Sequence, residues 1–104
     1  MDYNTDKGEV KEGKASAGDG LLSVLARVES LLFVADGPVS VGRLAEALEV
    51  PPGRIERALE NLTAAYDGRG LRLQRVGGRI QLVTAPEAAS SVERFLGLEA
   101  STRL

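Results

Sequence analysis

Two segments in which apolar and polar residues alternate lie on either side of Gly77-Gly78, and they limit the possible folds more than any other part of the sequence. Leu71–Val76 and Arg79–Thr84 flank this dipeptide, which suits a two-residue type I′ turn. Such a turn sets the pairing, with Leu73 opposite Leu82. One face then carries Leu71, Leu73, Ile80 and Leu82, and the other carries Arg72, Gln74, Arg79 and Gln81. This separation of apolar from polar side chains predicts a β-hairpin lying on a core.

Three helical segments precede the hairpin. The first is predicted over residues 21–35, with Asp19 as its N-cap and Gly37-Pro38 as its stop signal. A short second helix follows Ser40, and a third begins at Pro52 and ends before Gly68. The tight connection between the second and third helices suggests a helix-turn-helix.

A last helix is predicted after the hairpin. Thr84 and Glu87 have the spacing of a capping box, and Gly97 is expected to end the helix. Together these elements predict an α+β winged helix with a three-helix core, a two-stranded wing and a C-terminal helix. We expect residues 1–19 to form a disordered polar tail, residues 20–98 the domain, and residues 99–104 a linker or the start of a second winged helix.

Composition argues against catalysis. The 104 residues include no cysteine and no histidine, so thiolate and imidazole chemistry are excluded. Solvated helix faces account for the acidic residues Glu46, Glu49, Glu56 and Glu60. We therefore predict that the chain is not an enzyme and that it uses no cofactor, metal or small-molecule substrate. The sequence shows no secretion signal or membrane span, which predicts a cytoplasmic location.

The alternative to protein binding is that the chain is a DNA-binding winged-helix transcriptional regulator. The third helix presents Arg54 and Arg57, but Glu56 and Glu60 share its surface, and residues 21–104 carry no net charge. Four arginines follow within eleven residues that contain no acid: Arg69, Arg72, Arg75 and Arg79. The candidate DNA contacts are Arg54, Arg57, Arg72 and Arg79. A solvated hairpin face, with Arg69 and Arg75 in salt bridges, is the favoured interpretation of the wing.

Besides catalysis and nucleic-acid binding, the chain could act by binding another protein. The apolar stripe of the first helix leaves Leu22 and Phe33 on a separate flank. They would either cover the hairpin or the last helix, or meet a partner chain. Phe95 and Leu96 raise the same question in the last helix. We take these four residues as the candidate protein interface, which could be self-complementary.

Several segments resemble one known family in order and spacing. Residues 28–40 (VESLLFVADGPVS), 44–48 (LAEAL) and 55–59 (IERAL) resemble the opening of the bacterial segregation and condensation protein B. The resemblance is sharpest over residues 70–84 (GLRLQRVGGRIQLVT), followed by Pro86-Glu87. It covers about residues 22–98. Pro51 departs from the family, many members of which have a serine-like helix cap at this position.

The resemblance implies a function in chromosome condensation and segregation. Proteins of this family have two consecutive winged helices, form a dimer and bind the kleisin subunit ScpA. That assembly joins the SMC ATPase, which implies a location at the nucleoid and no cofactor. The N-terminal domain mediates self-association, and the C-terminal domain makes much of the kleisin contact. This chain matches the N-terminal domain, so kleisin binding by the chain alone is an open question.

Overall fold

The computed structural model describes residues 22–102, which form four α-helices and a three-stranded antiparallel sheet. The helices are α1 (Val24–Val34), α2 (Val41–Leu48), α3 (Pro52–Ala65) and α4 (Ala89–Thr102). The strands are β1 (Val39–Ser40), β2 (Leu71–Val76) and β3 (Arg79–Thr84), and a short 3-10 turn spans Pro86–Ala88. This arrangement confirms the predicted α+β winged helix. The tail predicted over residues 1–19 lies outside the described residues.

The core lies where α1, α2 and α3 meet the inner face of the sheet. Its largest fully buried side chains are Val28, Ile55, Leu59, Leu62 and Ile80. They come from α1, α3 and β3, so a single cluster joins the helices to the hairpin. Burying a side chain of this size contributes about 1.5–3 kcal/mol relative to leaving it exposed. This cluster therefore dominates the stability of the domain.

The hairpin has the predicted register. Leu73 pairs with Leu82, and Val76 pairs with Arg79 across the turn. Gly77 and Gly78 have φ angles of 56° and 80°, the left-handed backbone that a type I′ turn requires at both positions. A third strand was not predicted. Val39 of β1 pairs with Ile80, which places β3 in the middle of the sheet.

Helix boundaries differ from the sequence predictions at the first helix, at the predicted capping box and at Gly97. The first helix begins at Val24 because the Ser23 hydroxyl caps it by accepting a hydrogen bond from the Ala26 N–H, at 3.1 Å. It ends at Val34 because Ala35 is already extended. The capping box is wrong, since Thr84 belongs to β3 and Ala85 precedes the 3-10 turn without a side-chain cap.

The third difference concerns Gly97, which does not end the last helix. Helix α4 continues through it to Thr102, so residues 99–102 are helical. A glycine in an exposed helix costs about 1 kcal/mol relative to alanine, which weakens a helix without breaking it. No helix within the described residues is long and apolar enough to cross a membrane.

Candidate protein-interaction surface

Phe33 lies on the outer side of α1. The helix turns Val28 and Leu32 into the core, whereas Phe33 points away from it. The Phe33 side chain is 75% exposed, and that of its neighbour Val34 is 70% exposed. Neither the hairpin nor α4 covers Phe33. Leu22 is also exposed, but it precedes the Ser23 cap and does not belong to the helix.

An open apolar groove runs between α1 and the hairpin. We call it the α1 groove; its volume is about 340 Å³. Its walls come from α1, from the residue after α3, and from both strands of the hairpin. The lining residues are Ala26, Glu29, Ser30, Phe33, Val34, Tyr66, Leu71 and Leu82. Most of the wall is apolar, which suits an apolar occupant.

Tyr66 and Glu29 form a hydrogen-bonded pair in the wall of the α1 groove. The Tyr66 hydroxyl donates a hydrogen bond to the Glu29 carboxylate. Burial is the main cause that raises the pKa of Tyr66 to about 12, and the bond to Glu29 and its negative charge add to the effect. Arg69 acts in the opposite direction. The neutral phenol therefore holds α1 against the end of α3 at physiological pH.

Helix α4 carries the second exposed apolar patch. Its main contacts are with the 3-10 turn that precedes it. Val92 is half-buried, whereas Phe95 and Leu96, one turn further on, are 60% and 58% exposed. We call Phe95 and Leu96 the α4 patch. The structure therefore exposes all four candidate interface residues, with Phe33 on α1, Phe95 and Leu96 on α4, and Leu22 before the first helix.

The sequence did not assign Val34, Leu71 or Leu82 to the candidate interface. Leu71 and Leu82 were predicted on the core-facing side of the hairpin, and the structure places their side chains at the edge of that face. The alternation of apolar and polar residues in the strands indicates which side chains face the core. It does not specify the position of α1 relative to the sheet, on which the groove depends.

Two of the wing arginines form ion pairs with carboxylates. The Arg75 guanidinium lies 2.7 Å from Glu56 of α3, which confirms its predicted salt bridge. Arg72 lies 3.1 Å from Glu87, a pair that the sequence did not suggest. Arg69, predicted to be paired, has no salt bridge among the described residues, although its charge acts on Tyr66. Paired guanidinium groups are less available to phosphate.

The remaining candidate DNA contacts do not form one basic surface. Arg54 and Arg57 are exposed on α3, where Glu56 and Glu60 are exposed as well. Arg79 instead lies near the hairpin turn and shares a shallow cavity of about 120 Å³ with Arg43. The sequence analysis did not single out Arg43. Acidic side chains thus interrupt the helix surface that would have to approach phosphates.

The sequence and the fold resemble those of one protein family. The family model of the segregation and condensation complex subunit ScpB matches residues 26–104. Segregation and condensation protein B of Moorella thermoacetica is 45% identical over 73 residues, and that of Streptococcus mitis is 36% identical over 78. These matches cover 68% and 71% of the chain but only 37% and 41% of the relatives. The chain thus spans about two fifths of their length.

Two solved structures share the fold. ScpB from Mycobacterium tuberculosis matches with a TM-score of 0.70 and 29% identity, over 74% of this chain and 49% of that one. A dimer of the ScpB N-terminal domain complexed with a ScpA peptide matches with a TM-score of 0.63 and 31% identity. The second match covers 68% of this chain and 91% of the N-terminal domain. The similarity therefore extends over nearly all of that domain.

Proposed function

Since the chain belongs to the ScpB family of segregation and condensation complex subunits, we propose that it acts by binding other proteins in chromosome condensation and segregation. It associates with a second copy of itself and binds the kleisin ScpA, and through ScpA it joins the SMC ATPase. This function places it in the cytoplasm, at the nucleoid.

The observation that carries the proposal is the pair of exposed apolar surfaces on a small domain. The α1 groove exposes Phe33 and Val34, and the α4 patch exposes Phe95 and Leu96. Contiguous exposed apolar surface on a soluble domain is typical of a protein-binding site. The relative that matches over most of its length is an N-terminal domain dimer with a bound ScpA peptide. That structure supports both a second copy of the chain and ScpA as proposed partners.

A non-catalytic function is part of the proposal. The sequence contains no cysteine and no histidine. Three of the carboxylates accept bonds that tie elements of the fold together: Glu29 from Tyr66, Glu56 from Arg75 and Glu87 from Arg72. These contacts give the carboxylates structural roles. They favour a binding module over an acid–base catalyst.

Light scattering after size exclusion, combined with calorimetric titration of a ScpA peptide, tests the proposal. We expect a mass near twice the 11.0 kDa of the chain at micromolar concentration, and saturable heat with the peptide. A monomeric mass at every concentration would contradict self-association. Absence of heat with the peptide and with full-length ScpA would contradict kleisin binding by this chain.

A salt series with a fluorescent DNA duplex tests the alternative function. Binding at physiological salt that weakens steeply as salt rises would indicate phosphate contacts. In that case Arg79→Glu should reduce binding more than Arg75→Glu, because Arg75 is already paired with Glu56. A flat titration would leave protein binding as the function.

A further inference from the structure

The α1 groove and the α4 patch are both exposed and mainly apolar. The groove is concave and mainly apolar, with Phe33 and Val34 along one wall. The α4 patch is a convex pair of side chains on a helix, Phe95 and Leu96, beyond the half-buried Val92. An exposed helix ridge fits an apolar groove in the way that amphipathic helices generally bind.

The groove requires little polar matching from its occupant. Glu29 is the one charged residue among its described lining residues, and its carboxylate already accepts the hydrogen bond of Tyr66. A buried carboxylate without a partner would be costly to cover. Because the Tyr66 hydroxyl meets that need within the chain, an apolar helix can lie over this part of the groove.

A second copy of the chain accounts for both surfaces with one contact. A separate peptide in the groove would leave Phe95 and Leu96 exposed. A separate protein on α4 would leave Phe33 and Val34 exposed. Two copies that exchange their α4 helices cover both sets of side chains. In a two-fold dimer each residue pair then occurs twice.

Contact area also favours a reciprocal arrangement. A stable dimer buries about 800 Å² on each partner. An aromatic side chain contributes on the order of 150–250 Å², so one helix in one groove falls well short. When every copy both gives a helix and receives one, each partner contributes Phe33, Val34, Phe95 and Leu96 to the interface.

We propose that self-association occurs by reciprocal exchange, in which the α4 patch of each copy lies in the α1 groove of the other. This inference rests on the proposed self-association and specifies its geometry. It assigns Phe33 of one copy to the neighbourhood of Phe95 and Leu96 of the other. It also makes α4, which packs little on its own domain, a dimerisation element.

Cysteine cross-linking tests the geometry directly, because the natural chain has no cysteine. Phe33→Cys and Leu96→Cys proteins are made separately with different mass tags, mixed, and treated with a short bis-maleimide. We expect a covalent dimer that contains one chain of each kind. Either protein alone should give less product, since the proposed contact pairs position 33 of one copy with position 96 of the other. Val76→Cys, at an exposed apolar position on the hairpin, is the matched control.

A second measurement uses charge in place of each apolar side chain. Phe33→Asp and Phe95→Asp should each raise the dimer dissociation constant at least tenfold, by roughly the effect of removing a hot-spot side chain. Val76→Asp should leave the constant unchanged. Circular dichroism checks the fold, which these substitutions should preserve because all three side chains are mostly exposed.

Several outcomes would overturn the exchange without touching the proposed function. They are a stable dimer that gives no 33–96 product, a dimer that links like positions equally well, and a Phe33→Cys/Leu96→Cys double variant that links within one chain. If a ScpA peptide protects the thiol of the Phe33→Cys protein while the dimer mass stays unchanged, the groove belongs to the kleisin instead. A strictly monomeric chain would contradict the proposed self-association itself.

Discussion

Most of the large apolar side chains of residues 24–85 pack into one core, whereas those of residues 86–102 remain largely exposed. In the first region Ile55 and Ile80 are completely buried, and three helices and a sheet share one core. In the second region Val92 is only half-buried, and Phe95 and Leu96 remain exposed. Apolar residues in the two regions therefore have different functions. Those in the core hold the domain together, whereas those on α4 are available to a partner.

The periodicity of apolar residues in a sequence predicts a helix, but it does not reveal what that helix packs against. Both α1 and α4 carry apolar residues at helical spacing. Helix α1 buries Val28 and Leu32 against α3, while no residue of α4 whose burial is described is buried. Packing depends on where the chain directs each helix after its turn. For α4 the 3-10 turn at Pro86–Ala88 sets this direction.

Truncating one side chain in each region should give the largest contrast. Ile55→Ala is expected to lower the free energy of unfolding by about 3 kcal/mol, because it leaves a cavity in a fully packed core. Leu96→Ala should lower it by less than about 0.5 kcal/mol when the protein concentration is kept below the dimer dissociation constant. Urea denaturation followed by circular dichroism measures both. Equal losses would mean that α4 belongs to the core.

The polar pair of the α1 groove should give the next largest effect. Tyr66→Phe removes the hydroxyl that binds Glu29 and should cost about 1 kcal/mol. Because the folded pKa is raised above the ordinary value of 10, the contribution of Tyr66 is complete below pH 10. It is lost as the pH rises towards about 12.

The pH dependence separates this pair from a purely apolar contact. Denaturation is measured between pH 9 and pH 12 in a Tyr3→Phe background, which leaves Tyr66 as the remaining tyrosine. The stability of that protein should fall over this range more steeply than that of the Tyr3→Phe/Tyr66→Phe protein. Parallel curves would show that Tyr66 does not titrate with folding.

A backbone substitution should give a smaller effect with the opposite sign. Glu49 ends α2 with a φ of 58°, a left-handed conformation that costs an L-residue about 1 kcal/mol or more. Glu49→Gly should therefore stabilise the domain by up to about 1 kcal/mol. Glu46→Gly, within the same helix, should destabilise it by about 1 kcal/mol. Urea denaturation of the two variants provides the comparison.

The smallest effect is expected at the ion pair beside α4. A backbone hydrogen bond and then the Arg72 guanidinium lower the pKa of Glu87. The resulting stabilisation is present above the ordinary pKa of a glutamate and is lost as the pH falls through the lowered value. Arg72→Gln should move the Glu87 pKa upwards in an NMR titration. Arg94→Gln is the control, and an equal shift there would contradict a specific pair.

The sequence was sufficient for features that depend on neighbouring residues. The hairpin register followed from the Gly77-Gly78 turn, and the Ser40 cap and the start of α3 at Pro52 were also predicted. Each of these rests on local backbone rules. The fold class could be predicted because these local features occur in the order that a winged helix requires.

Features that depend on distant contacts were missed. The strand β1 has two residues, too few for an alternating pattern, and exists because Val39 meets Ile80. The α1 groove requires Leu71 and Leu82 to lie beside Phe33, which no local signal specifies. The candidate interface residues were named from periodicity. Their division into a groove and a helix patch required the placement of α1 and α4.

The short strand β1 also has a kinetic consequence. Val39 and Ile80 are about forty residues apart in the chain, whereas the hairpin pairs close neighbours. Contacts between distant residues form slowly because the intervening loop must first be closed. We therefore expect this pairing to form after the folding transition state. In a chevron plot, Val39→Ala should then speed unfolding and leave the refolding rate nearly unchanged.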